Sequence, residues 1–141
     1  MRVATSLLVL VLSPLPAAAA EGLTLRTAYL SDPARLTEAM VKACASRHPE
    51  LAAQGASALQ SWRKRNAADI RRAAELTAQE LGKLPQSREE IDRTLAQLKE
   101  EHLESWERIA AFPTACSDYL GSLERPDSDL ARLLPPVRGG G

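Results

Sequence analysis

The sequence predicts an all-α protein, an up-down bundle of about four helices, on three observations. Apolar residues recur at steps of three and four through several long stretches, the spacing that lines one side of an α-helix. Alanine and leucine dominate, aromatic residues are only 4%, and β-branched runs are absent beyond residue 20; such a composition favours helix because alanine and leucine lose little side-chain freedom there. The two cysteines, Cys44 and Cys116, fall where an antiparallel bundle brings two connections to the same end.

Residues 1–20 read as a signal peptide. Arg2 precedes a short apolar core over residues 7–12, and Ala18, Ala19 and Ala20 form a small-residue cleavage pattern before Glu21. That core is about half the length a helix needs to cross a bilayer, and Pro14 and Pro16 interrupt its end. The expected destination is the periplasm or the extracellular space, with no membrane-spanning segment in the mature chain. Residues 21–124 then form the helical domain and residues 125–141 a flexible tail rich in proline and glycine. After a leader over residues 21–30, Ser31 or Asp32 caps helix A with Pro33 in its first turn, and Leu36, Met40 and Cys44 line one side of it. His48 and Pro49 end it near Arg47.

Helix B runs from Glu50 to about Leu81, carrying Leu59, Trp62, Asn66, Ile70, Ala73 and Thr77 on one face, and stops at Gly82 and Pro85. Ser87 and Glu90 form a capping box for helix C, whose stripe is Ile91, Leu95, Leu98, His102, Trp106 and Ile109. Phe112 and Pro113 bend the chain into helix D, with Cys116, Tyr119, Leu120 and Leu123. In the tail, Leu130, Leu133 and Leu134 can fold back as one apolar turn.

Composition narrows the function. The chain holds 18 basic and 18 acidic residues; loss of Arg2 leaves 17 against 18, which argues against a nucleic-acid partner. In an oxidising compartment, two cysteines form one structural disulfide, and no C-x-x-C suggests redox activity or haem attachment. His48 and His102 alone make no metal cage. Met40 and His102 satisfy a core as well as they would ligate haem, so no cofactor is expected. No base stands near a serine-centred elbow or catalytic thiol, so no enzyme activity is expected.

Two features remain. Asn66 and His102 occupy apolar positions of their stripes, and folding B on C as a central antiparallel pair brings them level with Trp62 and Trp106. The expected layer of Trp62, Asn66, His102 and Trp106 either holds the register through buried hydrogen bonds or lines a small-molecule pocket of a periplasmic carrier. The B–C tip, with Leu76, Leu81, Leu84, Ile91 and Leu95, extends beyond A and D and needs cover from the leader, the tail or a partner. The leading expectation is therefore an exported, non-catalytic module that binds a protein partner or its own copy through this hairpin. The outer face of B is basic (Lys64, Arg65, Arg71, Arg72) and that of C acidic (Glu100, Glu104, Glu107), with Glu104 placed to pair with Arg108.

Overall fold

Helical period and composition lead to helices throughout. The computed structural model describes residues 22–137; the expected signal peptide lies outside the described residues. Six α-helices follow in order: α1 (Leu25–Ser31), α2 (Pro33–Arg47), α3 (Ala52–Arg65), α4 (Ala67–Leu81), α5 (Arg88–Ile109) and α6 (Pro113–Leu123). Short 3₁₀ turns occupy Pro49–Leu51, Pro126–Ser128 and Leu130–Arg132, and no strand occurs among the described residues. None of these helices is long and apolar enough to cross a membrane.

The expected count of four helices is corrected in two places. The leader forms a helix of its own, α1, because Thr24 caps it by accepting the Thr27 amide at 3.2 Å and Asp32 then caps α2 by accepting the Arg35 amide at 3.3 Å. Between them Asp32 leaves helical geometry, so α1 and α2 form a broken rod. Helix B is likewise divided at Asn66, whose backbone (φ −103°, ψ 11°) departs from the helix while Asn66 N–H to Trp62 C=O (2.9 Å) and Ile70 N–H to Asn66 C=O (2.8 Å) carry the ladder across.

The three rods do not assemble as expected. Instead of α4 packing along α5 as a central hairpin, α1 lies against both, and α2 lies against both α3 and α5. The α1–α2 rod is therefore the middle of a layer, flanked by α3–α4 and by α5. Gly55 permits a close approach of α3 to α2, since a Cβ there would stand 3.1 Å from Val41 Cγ1. Gly22 enters the layer with φ 82°, a left-handed conformation natural to glycine, directly against Leu84.

One face of this layer is covered by α6 and the C-terminal segment. Their Leu120, Leu123, Leu130 and Leu134 join Leu30, Val41, Ala58, Trp62 and Ala73 in the main core. The tail expected to be flexible thus packs through Leu134, with Leu130 only 1% exposed; of the three leucines expected to fold back, Leu133 stays largely outside. A second cluster joins Cys44, Cys116, Trp106 and Ala110, with Tyr119 tilted against Trp106 at 4.8 Å between ring centroids. Burial pushes the phenols of Tyr29 and Tyr119 above the ordinary tyrosine range.

The disulfide forms as read from the sequence: Cys44 and Cys116 are bonded, fully buried, with Cα atoms 5.6 Å apart and a separation of 72 residues. Closing a loop of that length removes about 4 kcal/mol of chain entropy from the unfolded state. The double variant Cys44→Ala/Cys116→Ala is expected to lose stability of about that size in urea unfolding, with far-UV helicity retained below the transition.

Candidate interaction groove

The four residues expected to form one polar layer are distributed over three places. Asn66 is 1% exposed. Its Oδ1 accepts the Leu130 N–H at 2.9 Å, while its Nδ2 donates to the Trp62 carbonyl at 2.9 Å and lies 3.5 Å from Asp129 Oδ1. Trp62 donates its indole N–H to the Ser128 carbonyl at 3.3 Å. Both residues therefore serve the C-terminal segment. Trp106 instead donates to the Met40 carbonyl at 3.0 Å beside the disulfide, and His102 remains half-exposed on α5. The physical cause is the α1–α2 rod, which separates the two stripes that the sequence reading placed face to face.

The basic outer face of helix B is also partly used within the chain. Arg65 donates to Asp129 at 2.6 Å and to the Leu123 carbonyl at 2.7 Å, and Arg72 donates to the Pro135 carbonyl. Arg63 donates to Glu38 of α2 at 2.6 Å. Lys64 and Arg71 remain exposed.

The hairpin tip finds its cover from within. Leu81 and Leu84 pack with Ile91 and Leu95 against Leu23 and Ala28 from the leader, and Leu76 packs against the main core and lines a hollow beside Leu133 and Leu134. Ile91 and Leu95 are buried, and the other three are half-buried. The leader and tail therefore occupy much of the surface that the sequence reading offered to a partner.

What stays open is the other side of α5. A groove of about 550 Å³ runs between α2 and α5, with Leu36, Ala39, Ala96 and Leu103 as its apolar lining. Glu100, Glu104 and Glu107 line its α5 wall, and Arg35 and Lys99 complete it. Elsewhere on α5, Arg88 pairs with Asp92 and Arg93 with Glu89. Among the described residues no ion pair involves the three groove glutamates; Arg108, expected to pair with Glu104, donates to Ser105 Oγ at 3.3 Å. The acidic row was visible in the sequence, but its apolar neighbour Leu103 lies off the helix C stripe. An apolar residue outside the stripe, next to an acidic row at helical spacing, was the available signal.

A second exposed apolar feature lies at the α5–α6 corner, where Ile109 and Phe112 are 49% and 65% exposed. The expected stripe places Ile109 inward; Trp106 is buried as that stripe requires, and Ala110 takes the inward position in place of Ile109.

No protein-family model matches the chain, and no curated protein or solved structure matches it either. Among the described residues no group of three or more histidine, cysteine, aspartate or glutamate side chains is arranged to hold a metal ion.

Two outcomes follow from this geometry. Asn66→Leu removes the acceptor of a buried amide and is expected to cost about 1–3 kcal/mol, with faster hydrogen exchange at the Leu130 amide reporting release of the C-terminal segment. Glu38, which accepts from Lys42 and Arg63, is held below the ordinary carboxylate range by those hydrogen bonds and charges. Its folded-state pKa is depressed, so its contribution is present above the unfolded carboxylate value and is lost as pH falls through the lower folded one. Carboxyl NMR titration should find Glu38 titrating below the ordinary glutamate value, and Arg63→Gln should move it upward.

Proposed function

We propose that this chain is an exported, non-catalytic helical module that binds a protein partner along the groove between α2 and α5. The observation that carries this reading is the state of α5. It is a 22-residue helix packed chiefly on α1 and α2, with Leu81 and Leu84 against its first turns and Tyr119 against Trp106 near its end, and it carries an apolar-lined groove beside a row of glutamates that have no ion-pair partner among the described residues. A helix-lined groove of this kind reads side chains from a partner through apolar contacts and sets its choice by charge at the rim. Export follows the signal-peptide pattern of residues 1–20, and the buried disulfide supports it because such links persist in oxidising compartments. The site differs from the hairpin tip that periodicity pointed to, because the leader and tail already cover much of that tip.

A photo-cross-linking side chain placed at Ala96 in the exported protein tests the groove. The expected outcome is a discrete protein adduct that Glu104→Lys diminishes and that the same probe at Glu89, an exposed α5 position outside the groove lining, does not form. Equal background labelling from both positions overturns the reading.

A further inference from the structure

We propose that the occupant of the groove is a second copy of this chain, in a two-fold symmetric pair. This inference rests on the groove being a protein-binding surface and assigns its partner.

The α3–α2–α5 face, opposite α6, is graded in charge. Arg63 and Lys64 stand on α3 beside the shallow surface formed with Ala56 and Leu59. Arg35, Glu38, Ala39 and Lys42 share one side of α2, being three and four residues apart. Glu38 reaches Arg63 on one flank, and Ala39 opens into the groove on the other. On α5 the row is Glu100, Glu104 and Glu107, three carboxylates beside one cation of the lining, Lys99, so this edge is acidic on balance. One edge of the face is therefore basic, its middle is mixed, and the far edge is acidic.

The basic and acidic edges also stand at the same height. Arg63 is level with Glu38 through their ion pair, and Arg35, Leu36 and Ala39 line the same groove as Glu100, Leu103 and Glu104. A two-fold axis in the plane of this face, running along α2, exchanges left and right while keeping height. It lays α3 of each copy on α5 of the other, so the basic edge meets the acidic edge twice in a closed, isologous pair. Leu59 and Ala56 then approach the partner's groove, and Ala39 lets the two α2 rods come close. Lys42, near the axis, meets its own copy and is relieved by its ion pair to Glu38 at 3.2 Å.

Three helices about 9 Å apart and about four turns long present roughly 500 Å² per copy, which places the pair in the weak, transient class. Charge pairs at this rim are exposed, so the association should weaken with salt.

Sedimentation velocity of the oxidised protein from about 10 μM to about 1 mM should reveal a reversible dimer of this weak class. Its dissociation constant should rise about tenfold between low and high salt. Two variants test the pairing itself: Glu100→Lys/Glu104→Lys/Glu107→Lys, and Arg63→Glu/Lys64→Glu. Each alone should be monomeric with unchanged helicity, and mixing them should restore a dimer, since each edge of one then matches the opposite edge of the other. Wild-type protein monomeric across that range, or variants whose mixture stays monomeric, overturns the self-pairing. If the Ala96 cross-linker then captures a different protein, the groove reading stands and this inference falls. If neither a dimer nor a specific adduct forms, both fall.

Discussion

Cover for the apolar sides of two long rods is the constraint on which this fold depends. The α3–α4 rod and α5 each expose a stripe too long for the other helices of a simple four-helix bundle to bury. The molecule resolves this by inserting α1–α2 between them and by laying α6 with the C-terminal segment over one face. Leu23, Ala28 and Leu30 therefore stand in the buried clusters beside residues of the longer helices. Burying a leucine side chain contributes on the order of 1.5–3 kcal/mol, so Leu23 just before α1 and Leu30 within it make this short segment integral to the fold.

The polar groups near Asn66 have their own logic. A helix that bends must satisfy the backbone groups that the bend loosens, and a tail without regular structure must satisfy its own amides. Trp62, Arg65 and Asn66 meet both needs at once by bonding to Leu123, Ser128, Asp129 and Leu130. An amide side chain suits this position because it offers a donor to the helix and an acceptor to the tail. The same residues, seen only as a stripe, look like members of an inter-helical layer.

Legibility differed between elements for physical reasons. The helix stops at His48–Pro49, Gly82 and Phe112–Pro113 were readable because proline and glycine act locally. Capping is local too, through a side-chain oxygen on the amide three residues on: Ser87 was readable, and of Ser31 and Asp32, both open in the sequence, Asp32 is the cap. The leader was too short for its period to identify it as a helix, since α1 has only seven residues. The partition of α5 was hidden because periodicity identifies an apolar stripe without identifying what covers it. Ile91, Leu95 and Trp106 are buried, Ile109 is exposed, and Leu103 opens into the groove.

By itself the sequence determined the all-α class, most of the helix ends and the pairing of Cys44 with Cys116, because these follow from local backbone preferences and from there being two cysteines. Only the tertiary structure decided which rods touch, that Asn66 serves the tail rather than His102, and that the open surface lies between α2 and α5. Those choices depend on the mutual exclusion of side chains in space. A helical stripe of leucines is satisfied equally by a neighbouring long helix or by a seven-residue one, and packing selects between them.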